Sequence, residues 1–144
     1  MFEKILVTTD ASEYSRRALQ TALKIAQQYQ SKIELLFVAY TPEAYWGYNM
    51  AHLIQEITPD QIEERGKLTL NATIEGIDVK DVILEKKMLQ GQHPASVILE
   101  EIAKENIDLV VMGSHGYGPI AGSVLGSVSQ RVVHRSECPV LIVK

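Results

Sequence analysis

Val110-Val111-Met112-Gly113-Ser114-His115-Gly116-Tyr117-Gly118-Pro119-Ile120-Ala121-Gly122-Ser123-Val124-Leu125-Gly126-Ser127-Val128-Ser129-Gln130-Arg131-Val132-Val133-His134-Arg135-Ser136-Glu137-Cys138-Pro139-Val140-Leu141-Ile142-Val143 decides the fold. Ile107 to Met112 is an apolar run that reads as a buried strand. Five glycines follow within fourteen residues, from Gly113 to Gly126. Val124, Leu125, Val128 and Val132 then give an amphipathic helix over Gly122 to Arg135, and Pro139 to Val143 reads as the next strand. Glycine allows positive φ and close backbone approach, so a strand feeding a glycine loop and then a helix makes a cradle for an anion. Gly122-Ser123 or Gly126-Ser127 would supply its donors, depending on where the helix begins.

Upstream, the same alternation repeats. Lys4 to Thr9 is a short β-branched run, and Asp10-Ala11-Ser12 ends it. Ala18, Ala22, Ile25, Ala26 and Tyr29 recur at helical spacing over Glu13 to Gln30. Lys32 to Tyr40 is a second strand. Pro59 to Ile74 is a helix with Thr58 as N-cap and Pro59 at its first position, stopped near Gly76. Val79 to Leu89 is a third strand; Glu85, Lys86 and Lys87 suit it to a sheet edge. Gly91-Gln92-His93-Pro94 introduces a helix with Val97, Ile98, Ile102 and Ala103 on one face. Alternating strands and helices predict an α/β fold, an open parallel sheet with helices on both faces. With no repeat or linker, residues 1–144 are expected to form one domain. Thr41 to Thr58, with Tyr45, Trp46, Tyr48 and Met50, is an aromatic-rich loop that either covers a cleft, meets a partner or packs on its own domain.

Composition narrows the function. The 144 residues are 46% hydrophobic and 22% charged, with net charge -4. Such a balance is globular and argues against general nucleic-acid binding, which needs a basic face. It leaves nucleotides open, because backbone amides hold phosphate without lysines. No run reaches the roughly 18 apolar residues of a membrane span, and Met1-Phe2-Glu3-Lys4 lacks the layout of a signal peptide; a cytoplasmic protein is expected. Cys138 is the sole cysteine, which rules out an intrachain disulfide and suits a small buried residue. His52, His93 and His134 lack metal-ligand spacing. His115 reads as a loop residue rather than a catalyst, and Arg131 and Arg135 as a solvated helix face.

In an open α/β sheet, ligands lie beyond the carboxyl ends of strands where the strand order reverses. Thr9-Asp10, Val38 to Thr41, and Met112 to Gly116 leave such ends. A mononucleotide would satisfy all three. Familiar phosphate loops are absent: at Gly66-Lys67, Gln61 takes the place of the first P-loop glycine and Leu68 that of the hydroxyl residue. The first βα turn carries no glycine, unlike a dinucleotide fold.

Gly113-x-x-Gly116, nine residues, then Gly126-Ser127 resembles the ATP-binding signature of the universal stress protein family. Lys4-Ile5-Leu6-Val7, Asp10-x-Ser12, Ala95-x-x-Ile98, Gly126-Ser127-Val128-Ser129 and Cys138-Pro139-Val140-Leu141 also match, so the resemblance spans essentially the whole chain. It implies a five-stranded parallel sheet in the order 3-2-1-4-5, a Rossmann-like fold, and ATP with Mg2+ or Mn2+. Asp10 would meet the ribose or the nucleotide-bound cation, with Thr9 beside it. Val38 would offer backbone groups to adenine, and Met112 and Gly113 would flank ribose and base. Gly116, Gly126, Ser127, Val128 and Ser129 would hold phosphates. A homodimer through the final strand, a stress-response or signalling role and a protein partner also follow from the resemblance. Thr8-Thr9 before the aspartate and Tyr117-Gly118-Pro119 in the loop depart from its pattern. The alternatives are a slow ATPase or phosphoryl-transfer enzyme, lacking a convincing general base, and an interaction protein with a vestigial nucleotide site.

Overall fold

A computed structural model describes residues 1–41, 58–116 and 125–144. Five strands, β1 (Lys4–Thr8), β2 (Lys32–Tyr40), β3 (Leu84–Gly91), β4 (Leu109–Gly113) and β5 (Val140–Val143), alternate with α1 (Glu13–Tyr29), α2 (Pro59–Ile74), α3 (Pro94–Lys104) and α4 (Ser127–Arg135). All paired strands run parallel, in the order β3-β2-β1-β4-β5. The order expected from the resemblance is the order observed.

Strand periodicity explains the two apolar layers. Successive side chains leave a strand on opposite faces. Ile5, Val7, Ile33, Leu35, Phe37, Leu109 and Val111 pack with Ala18, Leu19, Ala22 and Ala26 of α1 and Leu70 of α2. Leu6, Leu36, Val110 and Met112 turn the other way, onto Ala95, Ile98 and Ile102 of α3 and Val132 of α4. β1 and β4 are central and buried on both sides, hence their unbroken apolar runs.

The helix ends follow local chemistry. Ser12 caps α1 by accepting from Ser15 N–H at 3.3 Å. Thr58 and Gln61 form a reciprocal capping box around Pro59. Thr58→Ala removes one half of that box on an exposed helix end, and urea denaturation should show a loss of about 1 kcal/mol.

One boundary differs from the sequence reading, and one that it left open is decided. β3 starts at Leu84, not Val79, because Asp78 Oδ1 accepts from Lys80 N–H at 2.8 Å and Lys80 takes a left-handed φ of 51°. That side-chain turn outcompetes the strand; Val79 and Val82 still pack on the core. α4 starts at Ser127 with Gly126 as its N-cap, the later of the two starts that the sequence left open. Cys138 is half-buried rather than fully buried. β3 is an edge strand as its charges suggest. Tyr45 to Met50, Tyr117-Gly118-Pro119 and Gly122-Ser123 lie outside the described residues. No described helix is long and apolar enough to cross a membrane.

At the amino end of the sheet, on its α3 face, a charged cluster interrupts the apolar layer. Glu34 is 2% exposed and Glu101 3%. Lys4 Nζ lies 3.5 Å from Glu34 and 2.7 Å from Glu105. Lys87 bridges Glu101 and Glu105. Among the described residues, Glu34 Oε1 is buried without a hydrogen-bond partner.

Candidate functional site

The sheet order reverses between β1 and β4, and a cleft of about 370 Å³ opens beyond the carboxyl ends of β1, β2 and β4. That volume suits a small molecule. Thr9, Asp10, Val38, Met112, Gly113, Gly116, Gly126, Ser127, Val128 and Ser129 all line it. Residues from four separate parts of the chain thus converge on one space. Ser15, Pro94 and Ile98 join them without having been expected there, and His115 lies in the loop from Met112 to Gly116 that was.

One wall is the first turn of α4. Gly126 N–H donates to Ser114 O at 2.7 Å, and Gln130 N–H makes the first intrahelical bond, to Gly126 O at 2.9 Å. Ser127, Val128 and Ser129 therefore contribute the helix's orphan N–H groups. Gly126 has no side chain to cap them, so they face the cleft with the positive end of the helix dipole. The Ser127 side chain is exposed. Ser129 instead donates its hydroxyl to Gly113 O at 2.9 Å. This ties α4 to the end of β4 and leaves the backbone N–H of Ser129 as its group for an anion.

The opposite wall carries Asp10. Its Oδ1 accepts from Ser12 N–H at 2.9 Å and from Ser15 Oγ at 3.3 Å. A Cβ on Gly116 would collide with Asp10 Oδ2, so the carboxylate rests directly on the Gly116 backbone. A Cβ on Gly113 would come 2.7 Å from Tyr14 Cβ and 3.2 Å from Ser15 N. Gly113 thus brings α1 against β4, and both glycines serve packing inside the site. The His115 ring lies 5.6 Å from that of Tyr14, and its Nδ1 is 3.0 Å from Ser114 Oγ.

The third wall is the end of β2. The β1–β2 register stops at Thr8 and Leu36, where Thr9 N–H donates to Leu36 O at 2.9 Å. Peptide direction alternates along a strand. Thr41 N–H turns toward Gly91 on β3, so Val38 turns its N–H and C=O the other way, into the space beyond the end of β1. The cleft thus offers an anion site, a carboxylate and a paired backbone donor and acceptor.

A family model, that of the universal stress protein family, matches residues 1–144. The chain belongs to the universal stress protein family. Among its relatives, universal stress protein YxiE of Bacillus subtilis is 35% identical over 150 residues, with all of both chains covered. Among solved structures, hypothetical protein MJ0577, described as a test case of structural genomics, is 29% identical with a TM-score of 0.79, covering 100% of this chain and 96% of that one. A universal stress protein in complex with cAMP is 25% identical with a TM-score of 0.67, covering 99% and 96%.

Ser15 and Thr73 complete the surroundings of Asp10. Thr73, on α2, is fully buried and lies 2.6 Å from Thr9 Oγ1. Sequence offered no signal for this contact, because its partners are 64 residues apart. Among the described residues no group of three or more His, Cys, Asp or Glu is placed to hold a metal. Among the described residues, Asp10 is the only carboxylate lining the cleft.

Proposed function

We propose that the cleft binds ATP and that residues 1–144 form one nucleotide-binding domain acting as a stress-response or signalling module. The observation that carries this reading is the placement of the α4 first turn opposite Asp10 and Val38 around one cleft. The N–H groups of Ser127, Val128 and Ser129, with Gly116 and Gly126, take the phosphates. Asp10, with Thr9 behind it, accepts from a ribose hydroxyl. Val38 pairs its N–H and C=O with the donor and acceptor edge of adenine, while Met112 and Gly113 flank the sugar and base. The cAMP bound by a relative of the same fold supports an adenine ligand.

Asp10 fits a shared Mg2+ or Mn2+ better than a cation held by protein alone. Such ions take one or two carboxylates and complete their shell with phosphate oxygens and water. When bound, the cation would neutralise phosphate charge. Chromatography of small molecules released from the purified, denatured protein is the first test. An adenine nucleotide in near-stoichiometric amount supports the reading, and its absence from protein that also fails to bind added ATP rejects it.

Gly116→Ala would push the Asp10 carboxylate off its seat. ATP affinity should fall about tenfold or more, the worth of a charged hydrogen bond. Thermal stability should barely move, since Gly116 is exposed. Two copies are proposed to pair along β5, a sheet edge where Leu141 and, on α4, Val133 are exposed. Sedimentation equilibrium showing only monomer at micromolar concentration would rule that out.

A further inference from the structure

A buried chain of hydroxyls runs from α2 to Asp10. Thr73 Oγ1 lies 2.6 Å from Thr9 Oγ1, Thr9 Oγ1 donates to Ser15 Oγ at 3.0 Å, and Ser15 Oγ reaches Asp10 Oδ1 at 3.3 Å. Thr73, Ser15 and Thr9 are 0%, 4% and 7% exposed. Each hydroxyl has one proton and two lone pairs. If Thr73 donates to Thr9 and Ser15 to Asp10, every proton in the chain points toward the carboxylate. Two carbonyls compete for these protons: Thr69 O, 2.8 Å from Thr73 Oγ1, and Ser12 O, 2.8 Å from Ser15 Oγ. A negative charge at the far end favours the orientation toward Asp10, because aligned hydroxyls polarise one another.

Thr9 Oγ1 has a second task. It accepts from Ala11 N–H at 2.9 Å, and Ala11 holds a left-handed φ of 65°, a region unfavourable for alanine. The turn carrying Asp10 is therefore held in place by its surroundings. Arg16 of α1 fixes the other end of the chain, donating from Nη1 to Ala72 O at 2.8 Å. It satisfies one of the last carbonyls of α2, where a cation is favoured by the helix dipole.

We propose that Thr73 is a positioning residue for the nucleotide site, holding Thr9, the Ala11 turn and the Asp10 carboxylate through this chain. The proposal rests on the ATP reading of the cleft. Thr73→Val keeps the side-chain shape and removes the hydroxyl; Thr73→Ser keeps the hydroxyl. Titration calorimetry with ATP and Mg2+ should show about fivefold weaker binding for Thr73→Val, the effect of losing one buried hydrogen bond. Binding should return to within about twofold of wild type in Thr73→Ser. In ligand-free protein, hydrogen exchange at the Ala11 amide should be faster in Thr73→Val alone. Ile102→Val, in the layer on the other face of the sheet, is a control for stability loss and should leave affinity unchanged. Ser15→Ala cuts the same chain one link later and should weaken binding likewise if Thr73→Val does not fold. Wild-type affinity in Thr73→Val, or a loss that Thr73→Ser does not restore, overturns the role of Thr73 while leaving the ATP reading intact. Failure of the wild-type protein to bind ATP overturns both.

Discussion

Gly113→Ala should lose about 2 kcal/mol of stability in urea denaturation, and Gly113→Val more. The added Cβ would stand 2.7 Å from Tyr14 Cβ, 3.0 Å from Tyr14 C and 3.2 Å from Ser15 N. Two of those neighbours are backbone atoms in the first turn of α1, so no flexible side chain can swing aside. Either β4 or α1 must move, and overpacking of this kind typically costs about 1–3 kcal/mol. The displaced turn also carries Ser15, which holds Asp10, so ATP binding should weaken in the same variants. A midpoint and slope unchanged from wild type would show that α1 does not press on β4 this closely.

The second large effect is a dependence of stability on pH. Burial, followed by the neighbouring Glu101 carboxyl, pushes Glu34 up from the ordinary 4.5 to about 7, against the pull of Lys87 and Lys4. A proton on Glu34 donated to Glu101 gives the buried carboxyl a partner that no described donor supplies to its Oε1. The cluster is then neutral: Lys4 and Lys87 balance Glu101 and Glu105. With the folded pKa above the unfolded one, the folded state holds more protons between them. This contribution is fully present below about 4.5 and is lost as pH rises through about 7.

Across that window stability should fall as pH rises, at a slope no steeper than about 1.4 kcal/mol per pH unit for one proton. Glu105 acts in the opposite sense. Its hydrogen bonds from Lys4 and Lys87 hold its pKa below the ordinary value, so its contribution is lost only as pH falls into the acid range. Glu34→Gln places a neutral donor beside Glu101 at every pH. It should match wild type near pH 5 and exceed it near pH 8, flattening the decline. Parallel declines in both proteins would place the titrating group elsewhere.

The layers were legible because periodicity is a local signal. Ile5, Val7 and Leu6 sort themselves to opposite faces, and Thr58-Pro59 marks a helix start by its own chemistry. The start of β3 was misread because Asp78 and Lys80 make a turn whose strength depends on a side-chain bond rather than on pattern. The glycines of the cleft were found by spacing, but their work was understood only in three dimensions. Gly113 admits α1 and Gly116 seats Asp10, in addition to any contact with phosphate. Ser129 was expected to hold phosphate, and that its hydroxyl gives its proton to Gly113 O, leaving the backbone N–H for that task, is visible only in three dimensions. Glu34 and Thr73 were not singled out. One is a charge at an inward position of an apolar strand, and the other a threonine in a polar helix, and only tertiary contacts give either a meaning.

The most direct measurement is calorimetric titration of nucleotide-free protein with ATP and Mg2+, alongside the same titration with CTP. Val38 presents one backbone donor and one acceptor at a fixed spacing, and on the proposed reading Asp10 and the α4 turn would fix the sugar and phosphates. Saturable binding of one ATP per chain, with CTP at least about tenfold weaker, is the expected result. No heat of binding with either nucleotide at millimolar concentration, or equal affinity for both, would contradict the adenine-nucleotide account of the cleft.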